Sequence, residues 1–234
     1  MFGFPPQLLP WPASLANFAT VWETMPLPRF FANTLILAGA GVALNLFLCA
    51  LAAYPLARLE FPGRAVIVGI LLSTLMLPGH IGLIVNFVTL LRLRLIDTYA
   101  GVLLPGAVGV FGIFLLRQAF LTVPAELEDA ARIDGAGEFT IWWRVMLPVI
   151  RPALGALALF EFVAVWNSFL WPLIVLKSPE KYPLAVGLLY LSGLFAHNTR
   201  AVAAGAVMMT LPIIIVFLFT QRFFMRGLTV GAIR

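Results

Sequence analysis

The sequence is short of charge. Of its 234 residues only 11% are Asp, Glu, Lys or Arg, against 62% hydrophobic, and the mean hydropathy is +1.03. Water-soluble domains carry about 25% charged residues, so this chain has too few charges to coat a water-facing surface, and a soluble core is excluded. Histidine occurs only at His80 and His197, and no Cys/His/carboxylate cluster has metal-ligand spacing. His80, beside Pro78-Gly79, reads as a helix-break histidine bonded to backbone. A single cysteine, Cys49, rules out an internal disulfide. Lysine is nearly absent: Lys177 and Lys181 stand beside thirteen arginines. The net charge is +5, yet the arginines are scattered between apolar runs. That is the pattern of loop charges fixing membrane topology, not of a nucleic-acid footprint. Catalytic signatures are missing as well. Lys177-Ser178 follows Leu176 where a P-loop needs Gly, and no Gly-x-Ser-x-Gly occurs. The start has neither the basic beginning nor the continuous apolar stretch of a signal peptide.

Long apolar runs take the place of these features. Residues 1–30 form a Pro-rich lead in which Pro5, Pro6, Pro10 and Pro12 oppose helix, although Ser14 to Thr24 suits a short amphipathic helix. Five apolar segments follow: Phe31 to Leu56, Ala65 to Leu91, Ala100 to Leu116, Pro152 to Leu176 and Ala201 to Phe219. Each is near the roughly 20 residues that cross a bilayer. Pro78-Gly79-His80 interrupts the second and predicts a kink or a broken helix. The fold class expected is all-α, a polytopic membrane protein of about five transmembrane helices over residues 31–226, with a tail at 227–234. Gly39, Ala43, Ala201 and Gly205, at four-residue spacing, suit close helix approach; they also suit being ordinary membrane glycines and alanines.

Loop charge sets the orientation. Counted on alternate sides, Arg58, Arg64, Arg117, Arg132, Arg144, Arg151, Arg222, Arg226 and Arg234 fall together. Arg29, Arg92, Arg94, Lys177, Lys181 and Arg200 fall opposite. The more basic side is cytoplasmic by the positive-inside rule. The lead and N-terminus are then extracytoplasmic, the loop at 121–148 cytoplasmic, Lys177 to Arg200 extracytoplasmic, and the tail cytoplasmic.

That cytoplasmic loop holds five of the ten acids: Glu126, Glu128, Asp129, Asp134 and Glu138. Pro124 suits a first helical turn, and the early acids oppose the positive end of the helix dipole. Glu128 and Arg132 are spaced for an i,i+4 ion pair. Leu127, Ala130 and Ala131 make a small apolar stripe, and Gly135 is a natural terminator at a position wanting φ > 0. A second short helix over about Phe139 to Leu147 stops at Pro148. On these residues alone the loop is two short helices about a glycine bend, which also suits a solvated amphipathic linker.

The string Asp129-Ala130-Ala131, three residues, Gly135, nine residues, Val145, one residue, Leu147-Pro148 resembles the EAA loop of binding-protein-dependent ABC importer permeases. Asp replaces the usual Glu, and Val the usual Ile. Trp166-Asn167-Ser168-Phe169-Leu170-Trp171-Pro172-Leu173 is similar to a segment of carbohydrate-importer permeases reading Trp-Asn-acid-Phe-Leu-Trp-Pro-Leu, with Ser168 in place of the acid. Phe4-Pro5-Pro6 with Asn17, and Phe31-Ala32-Asn33-Thr34-Leu35, add a likeness to the maltose-type (MalG-like) subgroup.

The resemblance, over roughly Phe4 to Arg226, implies the type I ABC importer permease fold in a bacterial plasma (inner) membrane. It implies a pathway for a sugar or oligosaccharide. Members of that family normally begin with one further transmembrane helix, so the fold is expected without it. The loop becomes the coupling helix, with Glu126, Leu127, Glu128, Asp129, Ala130, Ala131, Asp134, Gly135, Leu147 and Pro148 meeting a separate ATPase. The implied partners are a second homologous permease in a heterodimer, two cytoplasmic ATPase subunits that bind the ATP, an extracytoplasmic solute-binding protein and the lipid bilayer. No cofactor, metal, nucleic acid or catalysis by this chain is implied.

Glu161 is the one acid inside an apolar segment. A carboxylate at that depth costs about 2.5–3.5 kcal/mol, so it should face protein or water. Ser168, seven residues on, lies on nearly the same helical face. Glu161, Trp166, Asn167 and Ser168 are therefore the candidate pathway residues. Glu161 suits either accepting from sugar hydroxyls or a structural bond to a neighbouring helix, and the tryptophans also suit interfacial anchoring. Two other functions fit parts of the sequence: a permease for glycerol phosphate or another polyol-like solute, and an ion-coupled secondary transporter, for which a lone Glu161 is thin support.

Overall fold

The computed structural model describes residues 14–78, 81–194 and 198–230. The proline lead, Gly79, His80, His197 and the end of the tail lie outside them. The described residues are helical, with no strand among them.

α1 (Ala16–Thr24) is the short helix expected ahead of the first apolar segment. α2 (Leu27–Arg58) is the axis of the molecule. It carries no charge between Arg29 and Arg58, and Pro28 sits in its first turn, where a missing N–H loses no helical bond. Extended backbone at Leu59, then Gly63 at φ +86, takes the chain out of it. Its 32 residues make it about 48 Å long, more than the ~30 Å hydrocarbon layer. Among the described helices it is the one long and apolar enough to cross a membrane unaided.

The second segment is broken where the proline predicts, into α3 (Arg64–Thr74) and α4 (Leu83–Arg92). The third bends by 52° between α5 (Tyr99–Leu103), prolonged by a 3₁₀ turn at Leu104–Gly106, and α6 (Val110–Leu121). The loop then supplies α7 (Glu126–Ile133), α8 (Glu138–Thr140), a π-helical turn at Ile141–Met146 and α9 (Leu147–Val149). α10 (Arg151–Trp166) leaves at 80° to that last helical stretch. The fourth segment is not the continuous span that its composition predicts: helix stops at Trp166 and restarts as α11 (Leu170–Val175). The Asn167 side-chain amide donates back to the Val163 carbonyl at 2.8 Å, competing with the backbone ladder. Pro172, four residues after Ser168, offers no N–H to its carbonyl and crowds it. α12 (Leu184–Leu194) is an apolar helix within Lys177 to Arg200, where loop charge predicts only a connection. α13 (Thr199–Val230) closes the chain with Pro212 inside it. If each bent pair is one span, length and composition give up to three spans, with α3, α4, α12 and Thr199–Ile215 as shorter apolar helices beside them.

α2 packs along α6 and α10. Around its Arg58 end, Cys49, Tyr54, Leu116, Phe120, Ile141, Trp142 and Met146 form one core. Phe30, Trp166, Leu184, Leu191 and Ala204 form a second, and Leu37, Leu90, Val102, Val175 and Leu176 a third. A Cβ on Gly187 would come within 2.5 Å of the Phe30 ring, so only glycine lets α12 lie so close to α2. Of the two spaced small-residue pairs, Ala201 and Gly205 are buried, Gly205 against Leu191, while Gly39 and Ala43 face outward.

The opposite end of α2 is held by polar bonds. Asn33 donates to the Glu180 and Tyr182 carbonyls at 2.8 and 3.0 Å and accepts from the Tyr99 hydroxyl at 2.7 Å. Asp97, at φ 60, accepts from the Lys177 and Ser178 amides, from the Ser178 hydroxyl at 2.6 Å and from the Lys181 ammonium at 2.9 Å. Burial by itself would raise the Asp97 pKa, but the Ser178 hydroxyl, the Lys181 ammonium and the two amides together hold it well below the usual carboxylate range. Asn33 and Arg58 are thus the two polar ends of one rod, about 38 Å apart along its axis.

Candidate functional site

Two features stand out, a braced loop at the Arg58 end and a cavity beside the first half of α2. The loop begins where α6 stops at Leu121. Glu126, Glu128 and Asp129 occupy the first turn of α7 and Arg132 its last, the arrangement that the helix dipole favours. Gly135 at φ +80 ends it. Its amide donates to the Arg132 carbonyl at 3.0 Å, and the Ala136 amide to the Ala131 carbonyl at 2.9 Å. That double bond pattern is a Schellman cap, and the left-handed residue at its centre is why glycine stands here.

The inner side of α7 is pinned. Arg58 Nε lies 2.8 Å from Glu128 Oε1, and Arg58 also donates to the Val123 carbonyl. Glu128 is only 4% exposed and pairs again with Arg132 at 3.6 Å. Arg132 reaches Glu138 at 3.1 Å, and the Tyr54 hydroxyl donates to the other Glu138 oxygen at 2.7 Å. These two donors keep the Glu138 carboxyl below the usual range. Beyond it, Ile141, Trp142 and Met146 bury fully against α2 and α6, and Trp142 Nε1 donates to the Ala50 carbonyl at 3.3 Å. The π-helical register fits this turn's three inward residues to the core. Glu128 and Ala131, which the motif groups with the docking residues, therefore face this chain's own core.

The outer side is free. Glu126, Leu127, Asp129, Ala130, Asp134 and Gly135 are exposed, while Leu147 and Pro148 are half-buried. Three large apolar side chains that the sequence reading does not single out are exposed beside them: Ile133 at 87%, Phe139 at 64% and Trp143 at 54%. Their signal is an apolar residue within a charged loop, outside the stripe. An outward apolar surface on a braced helix can receive a push and pass it to α2.

The cavity, about 600 Å³, lies between α2, α4, α5, α10 and α11. Glu161 and Ser168 both line it, with Asn86 and Trp171, although Ser168 lies past the end of α10 and not on the shared helical face that the seven-residue spacing predicts. The break between α10 and α11 lies in this wall, with Ser168 and Phe169 among the lining residues. Trp166 does not line the cavity: it is buried, edge-on to Phe31 with ring centroids 5.9 Å apart. Asn167 does not line it either: it is exposed, and its amide donates to the Val163 carbonyl. Trp171 meets the cavity while its Nε1 donates to the Val102 carbonyl at 3.2 Å. Among the described residues Glu161 has neither a hydrogen bond nor an ion pair. No fully buried side-chain polar atom among the described residues lacks a partner, so the Glu161 oxygens are not fully buried, and the residue lines the cavity.

An all-helical membrane protein with a braced loop at one end and a largely apolar cavity bearing one carboxylate is built as a transport component. Residues 45–230 match the family described as the binding-protein-dependent transport system inner membrane component, and the chain belongs to that family. The arabinooligosaccharides transport system permease protein AraQ of Bacillus subtilis (strain 168) is 40% identical over 206 residues, covering 88% of this chain and 73% of that protein. The sn-glycerol-3-phosphate transport system permease protein UgpE of Yersinia pestis is 30% identical over 236 residues, covering 97% and 84%. Among solved structures, a bacterial ABC transporter involved in the import of the acidic polysaccharide alginate matches with a TM-score of 0.81 and 28% identity, covering 93% of this chain and 82% of that one. The chain is a permease subunit of an ABC importer, multi-pass in the inner membrane, and not an enzyme.

Proposed function

We propose that the chain forms one wall of the pathway of an importer for a carbohydrate, best an oligosaccharide, beside a second homologous permease. Two cytoplasmic ATPase subunits bind the ATP and dock on the 121–148 loop, and an extracytoplasmic solute-binding protein delivers the cargo. The chain itself needs no cofactor. The observation that carries this reading is the two-sided loop: its outer face offers Leu127 and Ile133 to a partner, and its inner face is tied to α2 through Glu128. The carbohydrate is supported by the arabinooligosaccharide permease at 40% identity, against 30% for the glycerol-phosphate one.

Vesicles holding the chain, a second permease, the ATPase and the loaded binding protein are expected to take up oligosaccharide on ATP addition. Vesicles without the second permease are expected to take up none. Uptake that ignores ATP and collapses with the proton gradient would instead mark a secondary transporter.

The proposed orientation places the Arg58 end in the cytoplasm and the Asn33 end, with residues 1–30, outside. It is supported by the grouping of Arg58, Arg117 and the loop at one end of α2, and of Asp97, Lys177 and Lys181 at the other. Single cysteines replacing the exposed Ala125 and Glu180, in a Cys49→Ala background, are expected to label from opposite sides of the membrane. Labelling of both by an impermeant reagent in intact cells would overturn this assignment.

A further inference from the structure

We infer that Glu161 makes this wall of the pathway selective by charge, passing neutral polyhydroxyl solutes and holding back anionic ones such as uronates and phosphate esters. The inference rests on the importer reading above and adds the class of cargo.

Among the described residues that line the cavity, Glu161 is the only one with a charged side chain. No Arg or Lys shares the lining. Lys181, at the same end of α2 as the cavity, is committed to Asp97. Sites built for phosphate or carboxylate present guanidinium or ammonium groups, or a bundle of backbone N–H donors. This cavity presents the opposite, a carboxylate with no hydrogen-bond or ion-pair partner among the described residues.

The rest of the lining suits a sugar. Trp171 and Phe169 offer flat apolar faces, and Ser168 and Asn86 offer neutral polar groups that donate and accept. A carboxylate is a strong acceptor for hydroxyl donors, so it favours a polyol and repels an anion. Two like charges about 10 Å apart at an effective dielectric near 20 repel by enough to change a rate or affinity roughly tenfold.

Ser168 gives the means of testing charge apart from shape, because it lines the same cavity without carrying a charge. The probes are a neutral oligosaccharide and the same oligosaccharide with its terminal residue oxidised to the uronate. Uptake into vesicles holding the full importer is expressed per loaded binding protein, whose occupancy by each probe is measured separately. Wild type is expected to take up the uronate roughly tenfold more slowly than the neutral probe. Glu161→Gln is expected to bring the two rates within about twofold, with ATPase activity still stimulated by the loaded binding protein. Adding Ser168→Asp to Glu161→Gln is expected to restore discrimination, which a merely structural role for Glu161 would not produce. Equal rates for both probes in wild type, or a ratio unmoved by Glu161→Gln, would overturn charge selection while leaving the importer reading intact. Failure of the neutral probe to enter at all would overturn that reading and this inference with it.

Discussion

Replacing Gly135 by valine abolishes uptake and loosens the ATPase while the chain still inserts in the membrane. This outcome is expected from backbone geometry alone. Gly135 sits at φ +80 with open space around its Cα, so an added side chain meets no neighbour. What valine meets is the left-handed region itself, which costs an L-residue about 1–2 kcal/mol and a β-branched one more. The cheapest escape is to undo the cap, releasing the Arg132 and Ala131 carbonyls and letting α7 swing away from Glu138. Asparagine tolerates the left-handed conformation, so Gly135→Asn should keep most of the transport that Gly135→Val loses. Co-purification of the ATPase and uptake are the two readouts. Equal loss in both variants would point to a requirement for glycine other than its φ.

Arg58→Met should have the larger structural effect. The Arg58 and Glu128 side chains are 12% and 5% exposed, so removing the cation leaves a buried carboxylate with only the longer contact to Arg132. Breaking one partner from a buried pair costs about 3–5 kcal/mol, and the Val123 carbonyl loses its donor as well. The expected phenotype is uncoupling: ATP hydrolysis continues, but uptake falls below roughly a tenth of wild type because α7 no longer bears on α2. Glu128→Met in the same background should cost little more, since no unpaired charge then remains. A double-mutant cycle on uptake separates that pairing from other effects of the two side chains. Wild-type transport by Arg58→Met would show that the loop acts on the membrane helices by another route.

Local chemistry made part of this legible in the sequence. The acids of the first turn, the Glu128–Arg132 spacing and Gly135 located α7 and its left-handed end, because each is decided within one helical turn. Pro78 announced the broken second segment; Glu161 and Ser168 do share one wall, but across a helix break and not along the single helical face that their spacing suggested. Long-range partners were illegible. Glu128 turns inward because Arg58 awaits it 70 positions away in the chain, and no pattern inside the loop reports that. Asp97 and its clamp from Lys177 to Lys181 join stretches about 80 positions apart. The tryptophans misled in the same way, Trp166 going to the core and Trp171 to the cavity, because the intervening break was hidden in an apolar run. α12 was hidden because its charged neighbours marked its surroundings as a loop.

α2 carries one further consequence, which follows from thermodynamic linkage. Its Asn33 end is fixed to the elements that hold Lys181 and Tyr182, and its Arg58 end to the loop. A ligand that prefers one setting of this rod therefore changes the affinity of whatever binds at the other end. The factor must be the same read in either direction. If docking outside tightens the ATPase contact inside by some ratio, nucleotide-driven closure inside tightens the outer docking by that ratio, and one end of the importer can be titrated to measure the other.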